Sequence, residues 1–249
     1  MVKRDIKYYF AYFFIAVAII LITASFSIWF VGRIKDKSET LSPTFSNNIS
    51  CSTFVIDPGH GGEDGGAIAD DGTTEKELNL LLAKDLSLLL ELNGDKAVMT
   101  RETDTLLYDK YGDLDNYKGK KKIYDLKNRV RITNEQQSPV YIGIHMNKFP
   151  DARYSGLQVY YSKNNETSKL LAENVQKNTH AYIQNTNKRA IKRADSSIYI
   201  LDSLDCPAIL IECGFMSNSN ELVLLKSTEY RRDLATVIFI SAINTAGAD

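Results

Sequence analysis

The 249-residue chain is poor in several residue types that would announce a function class. It has three cysteines, Cys51, Cys206 and Cys213, an odd number with no CxxC spacing. That excludes a cysteine-based zinc site and a disulfide framework; a single pair could form outside the cytoplasm, but nothing in the sequence demands one. There is no basic excess: 30 Lys and Arg stand against 31 Asp and Glu, for a net charge of −1. A partner that binds through a field of positive charge, nucleic acid above all, is therefore not expected. Only three histidines are present, His60, His145 and His180, so any imidazole chemistry has few places to be. No internal repeat is visible, which excludes solenoids and propellers.

What the chain does have begins with one long uncharged run. Tyr8 to Val31, "YYFAYFFIAVAIILITASFSIWFV", carries no charged residue. At about 1.5 Å per residue it can cross a hydrocarbon core of about 30 Å. A cleaved signal would have a shorter apolar region of about 7–15 residues, and Trp29 and Phe30 suit a membrane interface. The expectation is a transmembrane signal anchor over 8–31 behind a short cytoplasmic tail, 1–7, with the main domain outside the cytoplasm. Cleavage near Thr23-Ala24-Ser25 would instead release a secreted domain. Residues 32–50 are polar and aperiodic and read as a linker. Residues 51–249 are then one catalytic domain.

Within that domain, short apolar runs rich in β-branched residues alternate with amphipathic ones. Segments 53–57, 96–100, 140–145, 156–161, 197–201 and 208–212 read as strands. Helical periodicity marks Glu75–Asn93, Ser168–Ile183 and Tyr230–Ala246. Thr74 and Glu77 form a capping box at the start of the first, and Gly94 ends it. The segment 102–126, rich in Asp, Lys, Tyr and Gly, reads as a long loop. The fold class expected is α/β: a twisted, mixed, largely parallel sheet of about six strands flanked by helices.

Ligands of open α/β sheets bind at the carboxyl ends of strands, and three predicted strand ends carry reactive residues. The first ends in Asp57 and runs into "PGHGGEDGGA"; another ends in "IHMN" with His145; the last ends in "IECG" with Glu212. The glycine loop lacks the lysine of a phosphate-binding loop, and Glu63 and Asp64 would repel an anion. Two histidines at strand ends point instead to a metal held by nitrogen and carboxylate oxygen, with zinc the natural choice. A third ligand is needed. Glu75, in the first turn of the capped helix, can point back at the strand ends; Glu77 competes, but the capping box occupies it. His180 has no acidic or histidine neighbour four residues away and reads as a surface or packing residue. Arg101 reads as a structural ion pair. Arg129 has two readings, a contact to a substrate carboxylate or a solvated helix face, and Asn147 likewise a substrate contact or a turn. Asp57 either caps its strand or holds a histidine or the loop from behind. The basic stretch "NKRAIKR" (187–193) is solvated charge or a contact to glycan or protein.

"IDPGHGGEDGGA", "TEKELNL", "MTRETD", "RVRITN", "YIGIHMN" and "ILIECGFMSN", in this order, resemble the zinc-dependent N-acetylmuramoyl-L-alanine amidases of bacterial cell walls, over essentially all of 53–245. Within that family the likeness is nearest to the spore-cortex (CwlD-type) amidases, which share an N-terminal hydrophobic segment, a bare catalytic domain and a stretch similar to "NTNKRAIKR" (185–193). The resemblance implies Zn²⁺ on His60, Glu75 and His145, and Glu212 as the catalytic acid/base. It implies cleavage of the amide between the lactyl group of N-acetylmuramic acid and L-alanine in peptidoglycan, in the spore cortex ahead of muramic δ-lactam formation and germination. A lipoprotein activator is a further implied partner. Cys213 departs from the family, where a small or aliphatic residue is more usual. Three alternatives stand beside this reading: a vegetative autolysin of the same chemistry, a zinc carboxypeptidase with an HxxE pair (His60 and Glu63 have that spacing), and a membrane-tethered, non-enzymatic wall-binding regulator.

Overall fold

The structure is a computed structural model, and it describes residues 53–112 and 119–246. The expected anchor and linker lie outside these residues; among the described ones no helix is long and apolar enough to cross a membrane.

Six strands form one sheet: β1 (Thr53–Pro58), β2 (Lys96–Met99), β3 (Pro139–Asn147), β4 (Gln158–Tyr161), β5 (Lys192–Arg193) and β6 (Ala208–Phe215). Their order is β2-β1-β3-β6-β4-β5. The four strands β2, β1, β3 and β6 are mutually parallel. β4 runs antiparallel to β6, and β5 parallel to β4. The mixed, largely parallel sheet expected from the sequence is the one observed.

The helices are α1 (Glu75–Asn93), α2 (Lys121–Asn134), α3 (Glu166–Tyr182), α4 (Tyr199–Ser203), α5 (Ser219–Lys226) and α6 (Thr228–Ala246). Side chains alternate across a strand, and the alternation assigns two faces. Phe54, Ile56, Ile142, Ile144, Ile209 and Ile211 face one core, filled by Leu82 and Leu86 of α1, Leu171 of α3 and Leu234 of α6. Val55, Tyr141 and Leu210 face a second, smaller core with Leu201 and Leu204. Continuing that second face toward the carboxyl ends brings Asp57, His145 and Glu212 to the same side. The sheet thus uses its apolar residues at mid-strand and its reactive ones at the strand ends.

Three predicted elements differ. Residues 197–201 are not a strand; the Asp195 carboxylate accepts from the Ser197 amide at 2.8 Å, a local turn that leads into α4. The sixth strand is the two-residue β5, too short for a period. Helix α2 begins inside the predicted loop because its inward face is polar: Asp125, Asn128, Arg129, Ile132 and Thr133 are its buried residues. Helix α5 opens at Asn218, whose side chain accepts from the amides of Asn220 and Glu221.

Leu86 is fully buried between α1 and the sheet. Leu86→Ala should cost about 2–5 kcal/mol of unfolding free energy, measured by urea titration of the metal-free domain. An effect below about 1 kcal/mol would place this side chain outside the core.

Candidate metal centre

His60 follows β1, His145 lies near the end of β3, and Glu75 opens α1. Their ligand atoms all lie within 4.8 Å of one another. Glu75 Oε1 is 3.2 Å from His60 Nε2 and 3.0 Å from His145 Nδ1. The two rings stand edge to face, with centroids 5.1 Å apart. Glu77 is occupied as the capping box requires, its carboxylate accepting from the Thr74 hydroxyl at 2.7 Å.

The approach depends on missing side chains. A Cβ on Gly59 would lie 2.2 Å from the His145 ring, and one on Gly66 would lie 2.6 Å from Glu75 Oε2 and 2.7 Å from His60 Cδ2. His60 itself has φ 64, a left-handed conformation that costs a residue with a Cβ about 1–2 kcal/mol. The surrounding structure imposes it.

Glu75 is held at both oxygens. Oε2 accepts from the Ala67 amide at 2.8 Å and Oε1 from the Met146 amide at 3.1 Å. Burial pushes its carboxyl up, but hydrogen bonds and charge from His145 and His60 outweigh that and hold it well below the ordinary carboxylate range. For His60, burial favours the neutral ring, and the carboxylates of Glu75 and Asp64 outweigh it and raise the pKa. Asp64 was not anticipated as part of the site. Its Oδ2 is 3.0 Å from His60 Nδ1, and its Oδ1 accepts from the Gly66 amide at 3.1 Å. With Nδ1 engaged there, Nε2 is the nitrogen presented to a ligand. The signal available in the sequence was an acid four residues after His60.

Glu212 is the register partner of His145 across β3 and β6. Its Oε2 is out of solvent reach and has no hydrogen-bond partner among the described residues. Burial pushes its carboxyl up to about 7, against the lowering influence of His145. It faces a cleft of about 520 Å³ with His60, His145, Tyr160 and Lys122 on its walls.

Arg129 corrects an expectation. It is neither solvated nor open to a substrate carboxylate: its side chain is 1% exposed. It donates to Asp57 Oδ1 at 2.5 Å, Asp125 Oδ2 at 2.7 Å, and the carbonyls of Pro58 and His60 at 2.9 and 2.8 Å. Asp57 therefore holds the loop through Arg129 rather than touching a histidine. It also accepts from Thr100 at 2.5 Å and from the Tyr141 hydroxyl. Burial pushes Asp57 up, and Arg129 with the two hydroxyls overrides it to hold the carboxyl below its usual range. Arg101 spends its guanidinium on the carbonyls of Pro58, Gly59, Lys76 and Thr103 rather than on an acid. Asn147 ends β3, where its carbonyl accepts from the Met216 amide, and it does not line the cleft. His180 stands on α3 with Nδ1 3.0 Å from the Asn187 carbonyl, apart from the cluster. In the basic stretch, the Arg189 guanidinium lies 4.6 Å from the Phe215 ring centroid.

Two imidazole nitrogens and one carboxylate oxygen, converging beside an unpartnered carboxylate, are the donor set of a catalytic zinc site with an open position. The residues fit the metal.

A family model described as N-acetylmuramoyl-L-alanine amidase matches residues 54–244. The chain is 35% identical over 207 residues to the germination-specific N-acetylmuramoyl-L-alanine amidase of Bacillus subtilis, covering 78% of this chain and 84% of that one. It is 29% identical over 210 residues to the B. subtilis amidase LytC, covering 84% of this chain and 38% of that one. Among solved structures, the CwlD amidase of Clostridioides difficile, in complex with the GerS lipoprotein, superposes with a TM-score of 0.73 at 35% identity, over 80% of this chain and all of that one. With a model match over most of its length and these likenesses, the chain belongs to the N-acetylmuramoyl-L-alanine amidase family.

Proposed function

We propose that the domain is a zinc-dependent N-acetylmuramoyl-L-alanine amidase that separates stem peptides from muramic acid in the spore cortex. The observation that carries the chemistry is the register pair His145 and Glu212, which sets a buried, unpartnered carboxylate one strand spacing from a metal-ligating histidine. His60, Glu75 and His145 would hold the ion. When bound, zinc supplies a Lewis acid that acidifies water and polarises the scissile carbonyl. Glu212 Oε2 takes a proton from the attacking water and returns it to the departing L-alanine amine, acting as base and then acid. Burial, which in the metal-free protein pushes this carboxyl up to about 7, makes it a stronger base than an ordinary carboxylate, as a group that both takes and returns a proton needs to be. Asp64 keeps the His60 ring turned toward the ligand position.

The cortex role is supported by the likeness to the germination-specific amidase, and a deletion strain whose spores keep their muramic δ-lactam would redirect it to vegetative wall turnover. A lipoprotein partner is proposed from the complex formed by the Clostridioides relative, and co-purification from sporulating cells tests it. The run 8–31 is proposed to anchor the domain outside the cytoplasm; recovery of the protein in a carbonate-washed membrane fraction is the expected result.

Three predictions follow from the site. Digestion of purified peptidoglycan should release peptides that begin with an unblocked L-alanine amine, and a chelator should stop it. Glu212→Gln should lower kcat by about 10²–10⁴-fold while zinc remains bound; cleavage elsewhere in the stem, or chelator-insensitive cleavage, would overturn the assignment. Gly59→Ala drives a methyl group into the His145 ring, so this variant should fold yet lose stoichiometric zinc by elemental analysis.

A fourth prediction concerns pH. In the metal-free protein Glu212 is pushed up to about 7 from an ordinary 4.5. Below about 4.5 it is protonated in both folded and unfolded chains and exerts no effect. Between 4.5 and 7 the unfolded chain releases the proton and the folded one retains it, so stability falls as pH rises. The full penalty above 7 is about 3 kcal/mol. Glu212→Gln should therefore be more stable than wild type in chelator at pH 8 and no more stable at pH 4, by urea titration.

A further inference from the structure

We propose that Arg101 and Arg129 are positioning residues for the metal: they clamp three consecutive carbonyls and so fix the backbone of His60 in the one conformation that delivers its Nε2 to Glu75 and His145. The inference rests on the metal-centre reading above and adds what determines how tightly that centre binds.

The clamp closes on the segment Pro58-Gly59-His60. Arg101 donates from Nε to the Pro58 carbonyl at 2.9 Å and from Nη2 to the Gly59 carbonyl at 3.0 Å. Arg129 donates from Nη1 to the Pro58 carbonyl at 2.9 Å and from Nη2 to the His60 carbonyl at 2.8 Å. The torsions φ and ψ of His60 together set the angle between the Gly59 and His60 carbonyls. One of these is held by Arg101 and the other by Arg129. Relaxing φ from 64 to a negative value would break one hold or the other, or swing the imidazole away from Glu75. The two arginines come from separate elements, one following β2 and one on α2, so the angle is fixed from two independent supports.

The supports are themselves immobile. Arg129 is pinned by Asp57 and Asp125, and Asp57 by Thr100 and Tyr141. Arg101 is 3% exposed and reaches the Lys76 carbonyl in the first turn of α1, next to the ligand Glu75. One guanidinium therefore ties the His60 loop and the Glu75 helix together. Lysine carries the same charge but has no planar fork and cannot hold two carbonyls at a set angle.

The test uses zinc affinity, from competition with a chromophoric chelator, on Arg101→Lys and Arg129→Lys. Both variants should bind zinc about 10–100-fold more weakly than wild type, with the loss in affinity exceeding any loss in the folded fraction of the metal-free protein. If the folded fraction of each variant binds zinc as wild type does, the arginines serve the core alone and the inference is overturned. A measurement without variants guards against misfolding: amide hydrogen exchange of Gly59 and Gly61 in the wild-type domain with and without chelator. A clamp made by the arginines keeps the segment ordered without metal, so the bonds from the Gly59 amide to the Ile144 carbonyl and from the Gly61 amide to the Asp64 carbonyl should keep their protection within about threefold on metal removal. Exchange that rises to loop-like rates on chelation would mean that the metal, not the arginines, orders the segment. Failure of the wild type to bind zinc at all would overturn the centre itself, a result distinct from either of these.

Discussion

The buried ion pair between Asp57 and Arg129 is the interaction on which the site depends. Its partners are at most 1% exposed and 2.5 Å apart. Removing one member of such a pair leaves a charge without compensation, typically at a cost of about 3–5 kcal/mol. As a source of net stability, a buried pair is a poor device, since apolar residues of similar volume often do as well. Its value here is directional. Asp57 lies near the end of a core strand and is fixed by the sheet; through Arg129 that rigidity passes to the carbonyls of Pro58 and His60 at the start of the loop. Gly143, the register partner of Asp57, belongs to the same device: a Cβ there would lie 3.1 Å from the Tyr141 hydroxyl, crowding the side chain that reaches Asp57.

The sheet then converts sequence distance into proximity. Parallel pairing of β3 with β6 sets His145 against Glu212, 67 residues away in the chain. The same face carries Leu210 one step and Tyr141 two steps back toward the strand starts, with Gly143 between Tyr141 and His145, so the residues that seal the second core lead into those that line the cleft. Helix α1 supplies Glu75, the third residue of the cluster, from its first turn. Glu75 is set there by hydrogen bonds from Ala67 and Met146, one from the glycine loop and one from β3. The Glu75 carboxylate is thus a joint between the three segments of the site.

Legibility in the sequence followed the kind of force involved. The long strands and three long helices were readable because apolar burial leaves a period of 2 or 3.6 residues. Their ends were readable too, since Thr74, Glu77 and Gly94 are local signals. Helix α2 was partly missed because its inward face is made of Asp125, Asn128 and Arg129, which periodicity scores as solvent-facing. The same polarity made Arg129 look available to substrate: a charge whose partners come from other elements is indistinguishable in sequence from an exposed one. Asp64 escaped for a related reason. Its contact to His60 depends on a run of glycines in left-handed conformations, Gly61 and Gly62 among them, that no helix or strand period describes. The grouping of His60, Glu75 and His145 was legible because strand ends in an α/β sheet converge by topology, independently of side-chain detail.

Charge balance separates the support from the reactive centre. Behind the loop, two guanidinium groups, Arg101 and Arg129, face two carboxylates, Asp57 and Asp125, and that cluster is neutral within itself. In front, Asp64, Glu75 and Glu212 surround two imidazoles, with Lys122 approaching Asp64 only to 3.9 Å from the solvent side. The excess is negative and it converges on the point the histidine nitrogens face. Without a cation the His60 imidazole supplies compensation by drawing a proton, which is the physical meaning of its raised pKa and, in part, of the lowered Glu75. A dication at that point would take over this compensation, with Glu212 beside it as a buried acid that has no hydrogen-bond partner at Oε2 among the described residues. Support and chemistry are therefore kept apart by electrostatics: the neutral cluster can be rigid at any pH in the working range, and the anionic one can respond to metal and proton without disturbing the loop that presents it.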